Sequence, residues 1–219
     1  MVFWAEECLP GDEEKWRGVS ASDERAGDAA LEKLSRGSRK QLVANRRQSM
    51  NSLDNIPAAF NRFTAVARRF CNIVDSSADL DRASLLVHIY GVLPELIQEA
   101  INLPAVGSGD DEVPGRDQTR LGQPEWSSLY QALKKRLANW DVYMDVFDPT
   151  KDTEAIHGSL ADDIADIYRD LKEGLDDPAP TLATQHNIIW EWRLGYYSHW
   201  GQHAMGALRT IHWLMANEP

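Results

Sequence analysis

The chain has 219 residues, 43% of them apolar, and a formal net charge of −11. That is the size of one ordinary domain with enough apolar side chains for a sizeable core, and its acidic balance disfavours binding to the backbone of DNA or RNA, which needs clustered Lys and Arg. The opening MVFWAEECLPGDEE has no basic or apolar leader, no apolar run approaches membrane-spanning length, and Cys8 and Cys71 are too few for a disulfide framework or a cysteine metal cluster. The expectation is a cytoplasmic protein that engages neither membrane nor nucleic acid.

In residues 1–50, acids dominate as far as Glu32 and a basic cluster follows at Arg36, Arg39, Lys40, Arg46 and Arg47. Few aliphatics and no sustained period predict a mobile charged tail ahead of a helical domain over 51–219. Met50 stands just before the ordered pattern, where translation could also begin. From Leu53 to about Asp75 the stripe Leu53, Ile56, Phe60, Phe63, Ala67, Phe70 and Val74 predicts a first amphipathic helix. A second follows Asp79, with Leu80, Ala83, Val87, Tyr90, Ile97 and Ile101 on one stripe and Leu85, Ile89, Val92 and Leu96 on another. Two stripes predict burial on two sides, and Pro94 predicts a kink or restart.

Pro104 to Pro124 is rich in Gly, Pro and Asp without period, which reads as a disordered loop or a lid. Pro124 suits the first position of a third helix, with Trp126, Leu129, Leu133, Leu137, Trp140, Met144 and Phe147 as its stripe and Asp148-Pro149 as its end. After a polar linker, Ser159 is the expected N-cap of a fourth helix whose apolar face is Leu160, Ile164, Ile167, Leu171 and Leu175. DDPAP forces a turn. The last helical pattern runs from about Thr181 to Ala216, roughly 54 Å if straight, with a bend near Gly195 or Gly201. With no β-hairpin signal, these elements predict an all-α, up-and-down bundle of about five helices.

The chemistry-bearing residues lie in the last two patterns. Asp162, Asp163, Asp166 and Asp170 fall in one quadrant of the fourth helix, a spacing that offers oxygen ligands to Mg²⁺ or Mn²⁺. Capping and the helix dipole account for Asp162 and Asp163 without function. Asp166 and Asp170 are less easily explained, because a merely soluble face would do better with Glu. A solvated acidic face is nevertheless the plainer expectation. His199 and His203 share an apolar stripe with Gln185, Ile188, Ile189, Trp192 and Tyr196, and His-x-x-x-His is a common two-ligand arrangement for Zn²⁺, Fe or Mn²⁺. No Glu follows the first His, so the zinc-protease motif is absent, and hydrogen-bonded core histidines are the plainer reading. If the last two helices pair as straight antiparallel rods, His199 stands level with His157, roughly 9 Å beyond Asp163. One joint site would then have to draw on Asp162, Asp163, Asp148, Asp152, Glu154 or His157.

SLADDIADIYRDLKEGL (159–175) and HWGQHAMGALRTIH (199–212), with VFDP before them, resemble segments of a bacterial family known as domain of unknown function 5063. The resemblance spans about Leu53 to Leu214 and implies an all-helical fold and a bacterial source; it supplies no activity. ADDIADIYRDL is also similar to the acidic helix of MazG-type nucleotide pyrophosphohydrolases, with Asp163 and Asp166 matching the second of that family's two Mg²⁺-binding pairs and the first pair missing. The late His-x-x-x-His resembles DinB-like proteins, in which an earlier helix adds a third histidine. Here His88 would be the counterpart, on a polar face with Asp81, Glu95 and Glu99.

No Gly-x-Ser-x-Gly turn, P-loop or Rossmann glycine pattern is present, and no catalytic set is complete. The leading expectation is a non-catalytic module that binds a protein partner or a second copy of itself, consistent with eight tryptophans. The alternative is a protein binding divalent Mg, Mn or Zn, or a metal-dependent hydrolase, with Asp163, Asp166, Asp170, His199 and His203 as candidate ligands.

Overall fold

The computed structural model describes residues 56–107, 121–146, 150–151 and 153–217; the expectations for the tail, Met50, Leu53, most of the 104–124 segment, Phe147 to Pro149 and Asp152 lie outside those residues. Among the described residues there are six α-helices and one small antiparallel strand pair, an all-α architecture. In none of these helices is there a stretch long and apolar enough to cross a membrane.

Helix α1 (Ile56–Asp75) buries the predicted stripe of Ile56, Phe60, Phe63, Ala67, Phe70 and Val74. Helix α2 (Arg82–Asn102) starts at Asp81, whose carboxylate accepts from the Ser84 N–H at 2.9 Å and from the Ser84 hydroxyl at 2.7 Å. It runs unbroken through Pro94. That proline lies on the exposed side, where water can meet the carbonyl it leaves free. The stripe of Leu85, Ile89, Val92 and Leu96 is buried throughout; of the other, Ile97 is buried and Leu80 and Tyr90 pack half-buried against the core, whereas Ala83, Val87 and Ile101 are exposed.

Helix α3 (Gln123–Leu137) ends ten residues before the predicted stop. Ala138 takes φ 52°, a left-handed conformation that no helix continues through, and a 3-10 turn (Ala138–Trp140) leads into strand β1 (Val142–Asp145). Strand β2 (Ile156–Ser159) pairs with it antiparallel, Val142 opposite Ser159 and Asp145 opposite Ile156. The expected absence of a hairpin is therefore corrected. Val142 and Tyr143 are strand formers, and the helical spacing of Trp140 and Met144 masked them.

Helix α4 (Leu160–Lys172) is capped as expected, the Ser159 hydroxyl accepting from the Asp162 N–H at 3.3 Å. The buried Asp141 carboxylate adds a second cap, accepting from the Ser159 hydroxyl and the Ala161 N–H, each at 2.8 Å. The last pattern is two helices, α5 (Leu182–Ser198) and α6 (Trp200–Asn217), broken at His199 where φ is −149° and ψ −88°. The Trp200 indole donates across the break to the Trp192 carbonyl at 3.1 Å. Phe63 of α1 meets both Trp192 and Trp200, with ring centroids 4.7 and 6.2 Å apart, so the break is bolted into the main core. Because of it, α6 rather than α5 lies along α4.

Glycine is required at that junction: a Cβ on Gly201 would collide with the Tyr196 carbonyl oxygen, whereas one on Gly91 of α2 would meet nothing within 4 Å. Gly201→Ala should therefore destabilise by about 1–3 kcal/mol, and Gly91→Ala should stabilise by roughly 0.5–1 kcal/mol, both read from urea unfolding midpoints. Cys71 is buried in α1, and burial pushes its thiol up from 9.0 to about 12. The folded chain keeps a proton that the unfolded chain releases above 9, so this group's contribution to stability falls as pH climbs from 9 towards 12. In a Cys8→Ser background, Cys71 should stay unreactive to Ellman's reagent at pH 8 until denaturant unfolds the chain.

Candidate metal centre

The carboxylates of α4 do not form the solvated face expected of them. Asp163 and Asp166 are 4% and 7% exposed, and Asp162 and Asp170 are half-buried. An ionised carboxylate at such depth is costly unless paired; Asp163 is hydrogen-bonded on both oxygens and Asp166 on one. For Asp163, the His203 Nδ1–H donates to Oδ1 and the Tyr143 hydroxyl of β1 to Oδ2, both at 2.8 Å. For Asp166, Oδ1 takes the Trp126 indole N–H of α3 at 2.8 Å and the Arg169 guanidinium at 2.7 Å.

Both histidines reach this face: the level-rod estimate left Asp163 open to them, and the structure brings them to Asp166 and Asp170 as well. His199 Nδ1 donates to Asp170 Oδ2 at 2.7 Å, and its Nε2 lies 3.8 Å from Asp166 Oδ2. His203 Nε2 lies 3.5 Å from the same oxygen. That estimate fell short because it treated α5 and α6 as one straight rod. The break at His199 turns the chain so that both rings come down on α4, with centroids 5.0 Å apart and planes at 72°. Asp166, His199 and His203 each offer one ligand atom, and the three atoms lie within 4.8 Å of one another.

The electrostatics follow from burial and crowding. Burial lifts the Asp163 carboxyl above the usual range, opposed by its donors His203 and Tyr143. Burial likewise raises Asp162, helped by the charge of Asp166. For His203 burial works downward, but the hydrogen bond to Asp163 and the charges of Asp163, Asp166 and Asp162 outweigh it and hold the imidazole above 6.5. Tyr143 is pushed far up by burial and by Asp163 beside it. A field that draws a proton to the imidazole would equally draw a cation.

Residues 55–217 match the family described as a domain of unknown function, DUF5063. The chain belongs to that family. Among solved structures it is similar to protein BF1032 of Bacteroides fragilis, seen in a crystal structure, with TM-score 0.61 and 23% identity over 72% of this chain and 92% of that one, a likeness that shows the fold alone. No curated protein matches.

In this DUF5063 chain the candidates Asp163, Asp166, Asp170, His199 and His203 converge, whereas His88, His157 and Glu154 are exposed elsewhere. His88 Nδ1 donates to the Ser84 carbonyl at 2.7 Å, so the third histidine of the DinB-like pattern has no counterpart there. Sequence reasoning missed Trp126, Tyr143 and Arg169. Arg169 was visible as the i+3 partner of Asp166 on the same helix; Tyr143 was hidden in a segment read as helix, and nothing local marks Trp126. Tyr143→Phe removes one of two donors to buried Asp163 and should cost about 1–3 kcal/mol at neutral pH. Urea unfolding checks this, and a cost under about 0.5 kcal/mol would mean the bond contributes little.

Proposed function

We propose that this protein binds one divalent transition-metal ion, of the Zn²⁺ class, through Asp166 Oδ2, His199 Nε2 and His203 Nε2. One observation carries the reading. Each imidazole commits its Nδ1–H to a different carboxylate, Asp170 or Asp163, at hydrogen-bonding distance, while its Nε2 stands 3.8 or 3.5 Å from Asp166 Oδ2. A network of mere hydrogen bonds would close those gaps to about 2.8 Å. Donors bound tetrahedrally at 2.0–2.1 Å sit roughly 3.3 Å apart, so shifts of a few tenths of an ångström would complete the centre. Carboxylates on the far ring nitrogens fix each tautomer and raise ligand basicity, as at known zinc sites.

Two imidazoles and one carboxylate oxygen form a donor set suited to Zn²⁺, Fe²⁺ or Co²⁺. The all-oxygen preference of Mg²⁺ argues against the MazG-type reading. Three protein ligands leave a position for water, and the His199 side chain, 41% exposed, keeps that side open to solvent. A metal held this way supplies hydrolytic chemistry by lowering the pKa of its bound water. A protein-binding role ranks second. Its support is Trp213, 58% exposed on α6, but Arg209 and Asn217 occupy its stripe one turn to either side.

Protein purified without chelator should carry about one equivalent of metal by elemental analysis, and Zn²⁺ at a hundredfold over Kd should stabilise the fold by roughly 2.7 kcal/mol. His199→Ala, His203→Ala and Asp166→Asn should each abolish stoichiometric binding, and Asp170→Asn should weaken it about 10–100-fold. Neither bound metal nor a thermal shift with Zn²⁺, Co²⁺, Fe²⁺ or Mn²⁺ would sink the reading.

A further inference from the structure

Asp166 has two oxygens, and they stand in different chemical situations. Oδ2 faces both Nε2 atoms, whereas Oδ1 accepts from the Trp126 indole at 2.8 Å and from Arg169 at 2.7 Å. The two donors come from different helices and brace each other, the Arg169 guanidinium lying 5.4 Å from the Trp126 ring centroid. Trp126 stacks on Tyr130 at 5.4 Å with planes 3° apart, and Lys134 sits over Tyr130, 5.2 Å from its centroid, donating to its hydroxyl at 2.9 Å. Positions 126, 130 and 134 are successive turns of α3, so two stacked rings are bracketed by the cations Arg169 and Lys134. This ladder holds the indole N–H aimed at Oδ1 and limits how far the carboxylate can rotate.

We propose that Trp126 and Arg169 are the residues that set the metal specificity of this centre, by occupying Asp166 Oδ1 and so confining Asp166 to one-oxygen ligation. The inference rests on the metal reading above and goes past it to which ion is preferred. A carboxylate held to one oxygen beside two imidazoles favours a compact, low-coordinate N₂O site, the preference of Zn²⁺. A carboxylate free to bind through both oxygens enlarges the coordination shell and suits ions that accept more oxygen ligands, such as Mn²⁺. Neither residue touches the ion; both act through Asp166 and are positioning residues.

The test compares the wild-type chain with Trp126→Phe, Arg169→Met and the double variant, titrating Zn²⁺ and Mn²⁺ separately against a chromophoric chelator. Phe keeps a ring in the stack and removes only the donor, and thermal melts of the metal-free proteins verify folding. In the double variant Zn²⁺ affinity should fall about 10–100-fold while Mn²⁺ affinity holds within about threefold, with each single variant between. The Co²⁺-loaded wild type should show the intense visible bands of a tetrahedral site, and the double variant the weak bands of a higher-coordinate one. Equal weakening of both metals, unchanged affinities, or identical Co²⁺ spectra would overturn the inference while leaving the metal centre standing. If a metal-free variant fails to fold, the Co²⁺ spectrum and Zn²⁺ to Mn²⁺ ratio of the other single variant decide. A wild-type chain that takes up none of these ions would overturn both readings.

Discussion

Two buried carboxylates on one helix constrain everything around them. Asp163 and Asp166 lie on α4 in an interior where an unpaired charge costs several kcal/mol, so the elements covering them must bring donors. Helix α3 brings Trp126, strand β1 brings Tyr143 and α6 brings His203, while α4 itself supplies Arg169. Helix α1, by contrast, meets α4 and α5 through an apolar core that includes Phe63, Leu171 and Trp192. Helix α4 is thus enclosed on both sides, once by apolar packing and once by a polar layer whose bonds, the Arg169–Asp166 pair apart, cross to other elements. That second layer ties the hairpin and α3 to the bundle, since α3 buries only Leu133 and Leu137 completely.

The helices were legible because their apolar spacing is strong. Ile56 to Val74, Leu85 to Leu96 and Leu160 to Leu171 each carry a stripe that the core uses. Their ends were harder to read. Leu137 gives way to Trp140 and Met144 at helical spacing, and what stops α3 is the positive φ of Ala138, a conformation that alanine does not advertise. The short pairing of β1 with β2 depends on that stop, and Tyr143 reaches Asp163 only because of it. Propensity did carry one clue to the site: aspartate where glutamate would make the better helix, at 166 and 170, marks two side chains that face the imidazoles of His199 and His203.

Membership of DUF5063 and likeness to the Bacteroides fragilis protein establish the all-helical fold and leave the chemistry to the side chains. There the decisive contrast is between the two nitrogens of each imidazole. On the Nδ1 side the distances are 2.7 and 2.8 Å, the contacts of completed charge-assisted hydrogen bonds. On the Nε2 side the distances to Asp166 Oδ2 are 3.8 and 3.5 Å. Packing tight enough to close the Nδ1 side to hydrogen-bonding distance left the Nε2 side open by several tenths of an ångström more.

His-x-x-x-His suggested two rings converging from one helix, and the rings do converge, but not for that reason. His199 ends α5 outside helical geometry, and His203 stands in the first turn of α6. Their convergence is made by the junction: the Trp200 indole anchors to the Trp192 carbonyl, and Gly201 lets α6 begin hard against the Tyr196 carbonyl. A continuous helix through 199 would carry the later ring on past the level of Asp166, as the straight-rod geometry requires. The site therefore depends on a glycine that touches none of its members, because the glycine decides where the second helix starts and the start decides which carboxylates the imidazoles meet.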